Sequence, residues 1–198
     1  KISKLNNFDN MYIPSSPGDA GSAIGCAYLG LINNNQKIKS NYQPYLGRNI
    51  KKNMHDYKKF GSVGDVTLDN LAKLLHEGNI IGVVSGRSEF GPRALGNRSI
   101  LANPTVEGMK DKINSKVKNR EGYRPFAPVI LEEEADKYFK DIKSNHYMTQ
   151  TYFVKDLAQD IMPEAVHIDK TARAQTVSSK SNPWLYELIK EFYALSGC

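Results

Sequence analysis

The chain has 198 residues, 40% hydrophobic and 24% charged, with a formal net charge of +6. This is the balance of a medium globular unit that favours anionic partners. No apolar run approaches the roughly 20 residues that cross a bilayer, so no membrane partner is expected. Two cysteines, Cys26 and Cys198, exclude a disulfide-stapled scaffold and point to a reducing, cytoplasmic setting.

The opening KISKLNN has no secretory apolar core, and the lack of a starting Met reads as an excised or processed piece. In YIPSSPGDAGSAIGCAYLGLINN a Pro/Gly turn precedes a helix beginning near Asp19, its expected N-cap. Ala20, Ala23, Ile24, Ala27, Tyr28 and Leu31 recur at helical spacing, and Cys26 is placed on the packed face of this small-residue helix. Gly21 and Gly25 lower its intrinsic helicity, so packing must hold it, yet residues 1–35 are too few to build a core. Residues 36–63 are polar, basic and weakly periodic, and read as a connector between domains.

From residue 64 the pattern sharpens. Thr67 caps LDNLAKLLHEG, which Gly78 ends, and IIGVV follows as a short buried strand. SILA reads as the next strand. Asn103-Pro104 then predicts a helix whose buried face carries Val106, Met109, Ile113 and Val117. PFAPVIL is extended, with its prolines suggesting an edge or bulged strand. EEEADKYFKDI predicts a helix, TYFVK and ARAQTV predict strands, and Asn182-Pro183 opens a last helix that Gly197 ends. The alternation argues for an α/β fold.

Between IIGVV and SILA lies SGRSEFGPRALGNRS, with Gly86, Gly91 and Gly96 five residues apart and Arg87, Arg93 and Arg98 among them. Turns that glycine permits expose successive N–H groups that bind anions, and a guanidinium presents paired donors to phosphate or carboxylate. Residues 87–124 carry nine Lys/Arg against four Asp/Glu. A phosphate or adenylate site fits this pattern, although neither G-x-x-x-x-G-K-[ST] nor G-x-G-x-x-G is present. The rival is a basic nucleic-acid or nucleotide binding module without catalysis. Against it, no aromatic residues interleave with the arginines as a stacking surface requires, so nucleic acid is not the expected partner. Glu89 is expected to orient an arginine. His167 is expected to be structural or solvent-facing, and His55, His76 and His146 to lie at the surface.

GRSEFGPRALGNRSILANP, KVKNREGYRPFAPVILEEEA and HIDKTARAQTV together resemble the C-terminal region of the O-carbamoyltransferases, the family of nodulation-factor, cephamycin and tobramycin carbamoylating enzymes. The resemblance runs from about Pro14 to the end. It implies that residues 1–35 are the tail of an actin-like (ASKHA-type) carbamoyl-transfer domain. It further implies that 36–63 are a connector, and that 64–198 form a YrdC-like domain with a twisted mixed sheet flanked by helices. It implies formation of carbamoyl-adenylate from carbamoyl phosphate and ATP, with Mg2+, and transfer to a small-molecule hydroxyl acceptor. An iron-like divalent metal belongs to the actin-like domain, most of which lies outside this chain and acts as its partner.

By the same resemblance Arg93, Lys118, Arg124 and Arg173 hold carbamoyl phosphate and the adenylate. Arg87, Arg98 and Ser99 are second-rank positions, either ligand contacts or loop scaffold, Asn97 and Gly96 join them as binding positions, and Asp19 matches a metal-ligand aspartate of the intact enzyme. Arginine remains protonated, so these groups clamp and neutralise charge rather than act as bases. The family continues past the last helix with an Asn-Thr-Ser-Phe-Asn block, so the domain is expected to be truncated and inactive alone. Lys170 stands where the family usually carries Gly.

Overall fold

A computed structural model describes residues 11–38, 43–50 and 58–198. It is a mixed α/β fold: α1 (Asp19–Asn33), α2 (Leu68–His76), β1 (Ile81–Val84), β2 (Arg98–Leu101), α3 (Met109–Ile113), β3 (Val129–Leu131), α4 (Ala135–Tyr138), β4 (Tyr152–Phe153), α5 (Asp156–Ile161), β5 (Thr171–Ala172), β6 (Gln175–Val177) and α6 (Pro183–Ser196). A π-helical turn, Asn114–Lys118, extends α3. Among the described residues the strands form three pairs: β1 antiparallel to β2, β3 parallel to β6, and β4 antiparallel to β5. No helix among the described residues is long and apolar enough to cross a membrane.

The two long helices of the α/β unit follow from their ends. The Thr67 hydroxyl accepts the Asn70 N–H at the start of α2. The Asn182 side-chain oxygen accepts the Leu185 N–H, and Pro183 takes the first position of α6. Leu188 and Phe192 of α6 pack on Ala72 and Leu75 of α2, with Ile81 and Leu101 of the first strand pair against them. One turn earlier, Leu185 packs on Leu131 and Val177 of the parallel pair. A second cluster, centred on Tyr138, Phe139, Val154, Ala158 and Met162, fills the space between α4, α5 and the β4–β5 pair.

Several expectations change. Gly18, not Asp19, is the N-cap of α1, and Asp19 is its first helical residue, where its charge suits the helix dipole. Helix α1 has no buried residue, so Cys26 is exposed rather than packed. Only Val83 of the IIGVV strand is buried, because β1 covers the core with one side chain in its four. No helix begins at Pro104. The Asn103 side-chain oxygen accepts both the Thr105 N–H and its hydroxyl, which closes a local turn. Helix α3 then starts at Met109, after Gly108 in the left-handed region, and Val117 is exposed. The EEEADKYFKDI segment is a 3-10 turn followed by four helical residues. His146 is half-buried and contacts the Thr176 carbonyl and Glu132, while His55 lies outside the described residues.

Candidate functional site: an arginine–glycine loop

Strands β1 and β2 are joined by residues 85–97, and one carboxylate organises this loop. Glu89 Oε1 accepts the backbone N–H groups of Leu95 (2.8 Å), Asn97 (2.7 Å) and Arg98 (3.2 Å). The role expected for Glu89, orienting a guanidinium, is replaced by orienting the backbone that carries them. Three backbone N–H donors on one carboxylate oxygen form a strong knot. Arg98 closes the loop's base by donating to the Ser85, Asn97 and Gly86 carbonyls. The Ser99 hydroxyl accepts the Gly96 N–H. Arg87 turns outward to the segment at 43–50, donating to the Gly47 and Leu46 carbonyls. Arg87, Arg98, Ser99 and Asn97 are thus occupied in holding the loop.

The loop's far end is fixed by a hub at the Leu95 carbonyl. It accepts from the Tyr45 hydroxyl at 3.1 Å, Gln175 Nε2 at 3.2 Å and Asn182 Nδ2 at 3.4 Å. Asn182 Nδ2 also donates to Asn97 Oδ1 at 3.0 Å, so the cap of α6 and the loop share one network. Gly96 lies at φ +109, and a Cβ there would stand 2.6 Å from Leu185 Cδ2, so only glycine permits this close seat on α6. Burial pushes the Tyr45 hydroxyl up to about 12. Tyr45 and Gln175 carried no signal in the sequence, and Asn182 was legible only as a helix cap.

The Leu95–Gln175 bond has a direct consequence. Arg93 is two residues before Leu95 and Arg173 two residues before Gln175, so the bond draws two cations together. Burial first, and then the charge of Arg93, holds the Arg173 guanidinium below its ordinary value. Arg173 Nε is buried without a hydrogen-bond partner among the described residues. Arg93 is exposed. A desolvated donor beside a second guanidinium is an arrangement that an anion would complete.

Lys118 ends the π-helical turn and Arg124 lies in the loop that follows, which is tied around buried Asn114. Its Nδ2 donates to the Gly122 and Arg124 carbonyls and its Oδ1 accepts from Arg120 Nε. Arg124 pairs with Glu121 at 2.9 Å, both side chains about half exposed. Neither Lys118 nor Arg124 shares a hydrogen bond or ion pair with the arginine–glycine loop among the described residues. The Pro128 carbonyl, four residues after Arg124, accepts the Gln175 N–H. Asp19 stands apart at the exposed start of α1. An apolar cavity of about 150 Å³ between β2, β3 and α6 is lined by none of the candidate site residues.

Comparison with known proteins matches residues 72–198 to the family model described as Carbamoyltransferase C-terminus. Nodulation protein NolNO of Sinorhizobium fredii is 36% identical over the whole chain and 31% of its own length. Nodulation protein U of Azorhizobium caulinodans is 35% identical over 96% of the chain and 33% of its own length. An uncharacterized protein of Methanocaldococcus jannaschii is 38% identical over 96% of the chain and 33% of its own length. The chain thus spans about a third of the length of these relatives.

Proposed function

The chain belongs to the carbamoyltransferase family through the module at residues 72–198, and on that premise we propose that it is the C-terminal part of an ATP-dependent O-carbamoyltransferase. Carbamoyl phosphate and ATP meet at the arginine–glycine loop; water cleaves carbamoyl phosphate to carbamate and phosphate, and the carbamate oxygen attacks the α-phosphorus of ATP to give carbamoyl-adenylate with release of pyrophosphate. The carbamoyl group then passes to a hydroxyl of a small-molecule acceptor. Residues 64–198 act as the YrdC-like adenylate-forming domain. Residues 36–63 form the connector, and residues 1–35 are the tail of an actin-like domain supplied by the intact enzyme, in the cytoplasm.

The observation that carries this reading is the buried, unpartnered Nε of Arg173 beside Arg93. Two anionic substrates repel one another, and fixed cations offset that repulsion at the point where the new bond forms. Arg93 and Arg173 clamp the shared phosphate region. Lys118 and Arg124 approach from the neighbouring loop and neutralise the departing groups. Arg87, Arg98, Ser99, Asn97 and Gly96 hold the shape of the loop that carries Arg93. Mg2+ enters with ATP. Among the described residues no three His, Cys, Asp or Glu gather to hold a metal. Asp19 alone does not make such a centre, and its place as one ligand of an iron-like ion depends on residues outside this chain.

The test is ligand-dependent melting. ATP at about a hundred times its Kd stabilises a binding fold by about 2.7 kcal/mol. Arg93→Ala combined with Arg124→Ala is expected to abolish the shift while the unliganded transition stays in place. A double variant that binds ATP as the parent does would remove these arginines from the site. A steep salt dependence on mixed DNA, with no response to ATP, would favour the nucleic-acid module instead.

A further inference from the structure

Helix α1 buries none of its residues, yet the two residues at the turn before it are among the most enclosed polar groups of the protein. Ser15 and Ser16 are each 3% exposed. They are wedged between two glycines from distant parts of the chain. On one side is Gly91 of the arginine loop, at φ +131, where an added Cβ would stand 2.7 Å from the Ser15 carbonyl oxygen and 3.5 Å from Ser16 Cβ. On the other is Gly21, in the first turn of α1, where a Cβ would stand 2.0 Å from the Ser16 carbonyl oxygen. The Ser15 hydroxyl donates to the Phe90 carbonyl at 3.0 Å. Both glycines are therefore needed for close backbone approach, and Gly91 also for its conformation.

The contact falls at a sensitive point. Gly91 is followed by Pro92, whose ring fixes φ, and then by Arg93. A displacement at Gly91 is carried to Arg93 with little slack. The same stretch is held from its other flank by the Phe90 N–H donating to the Pro44 carbonyl. The N-terminal turn and the 43–50 segment grip one loop between them.

We infer that the Ser15–Ser16 turn is a positioning element of the arginine–glycine loop, and that docking of this turn and occupancy of the site at Arg93 are coupled through Gly91. The first half stands on the packing alone, and the second rests on the proposed function. Coupling of this kind is reciprocal: what the turn does for ligand affinity, the ligand does for docking of the turn and the start of α1.

Gly21→Ala is the decisive variant, because alanine is the better helix former and strengthens α1 itself while its Cβ displaces Ser16. Amide hydrogen exchange is expected to accelerate at least tenfold at Phe90, Leu95, Asn97 and Arg98, and the ATP Kd to weaken at least fivefold. Gly18→Ala, whose methyl meets nothing within 4 Å, changes neither. Ser15→Ala reproduces the loop effect and Ser15→Thr restores protection. In the parent chain ATP slows exchange at the start of α1, and in Gly21→Ala it does not. Parent-like loop exchange in both Gly21→Ala and Ser15→Ala would overturn the inference. A parent chain that binds no ATP would instead end the proposed function, while loop exchange still decides the role of the turn.

Discussion

Arg173 Nε is buried without a partner among the described residues, and its neighbour Arg93 carries the same charge. Such a group lowers the stability of the free protein by leaving a desolvated donor unsatisfied, an effect of about 1–3 kcal/mol. Arg173→Met keeps an aliphatic stem of similar length and removes both the donor and the repulsion. It is expected to raise the melting temperature by about 2–4 °C, the shift that about 1 kcal/mol gives in a chain of this size, and to eliminate the ATP response. A melting temperature that falls would mean the guanidinium is satisfied in solution. Three residues away, Lys170 sits at φ +58, where a Cβ is strained by about 1–2 kcal/mol. Its backbone makes the turn all the same, with its carbonyl accepting the Val154 N–H. The lysine is therefore tolerated at a position that glycine fits. Lys170→Gly should stabilise by about 1 kcal/mol, read as a higher urea midpoint; a lower midpoint would place the strain elsewhere.

At the scale of elements, the turn leading into β5 contains a histidine, His167, whose environment favours the neutral form. Burial lowers the proton affinity of His167; Asp169 opposes that and Arg173 adds to it. Its Nδ1 lies 3.1 Å from the Thr171 hydroxyl. A histidine depressed in the folded state binds fewer protons there than in the unfolded chain. Its contribution is therefore present above the ordinary value of 6.5 and is lost as pH falls through that value toward the folded one. Melting followed from pH 8 to pH 5 should show a decline beginning near pH 6.5 that His167→Gln reduces; an unchanged profile in that variant assigns the decline to other groups. The elements that sequence reading located were those whose ends are set locally. Thr67, Gly78, Asn182-Pro183 and Gly197 fix α2 and α6 by side-chain caps and left-handed glycines. Reading failed where one side chain had two local uses. Asn103 resembles a helix cap but closes a turn, and the face of α1 that periodicity marked as packed is open because nothing among the described residues covers it. The site was legible as chemistry and not as architecture. Composition identified the cationic loop, but the Leu95 hub depends on Tyr45, Gln175 and Asn182, up to 87 residues away.

Across the whole molecule, α6 joins parts that share no strand. Through Leu188 and Phe192 it binds α2 and the β1–β2 pair, while Leu185 near its start binds the β3–β6 pair. Leu185 also supports Gly96, and the helix cap Asn182 holds the Leu95 carbonyl. The arginine loop is thus seated on the same helix end that unites the two strand pairs. This makes stability and site geometry separable along one helix. Leu185→Ala should cost about 2–5 kcal/mol, and Phe192→Ala about 3–5 kcal/mol, as buried truncations do. They differ in what they do to the loop. Removing Leu185 takes away the surface against which Gly96 rests, so the ATP response of the molecules still folded should weaken. Removing Phe192, about two turns away and against α2, should leave that response intact despite an equal or larger loss of stability. Urea unfolding gives the first quantity, and ATP titration of the folded fraction at low temperature gives the second. If both variants lost ATP affinity in proportion to stability, the loop would be reporting global unfolding and not its seat on α6.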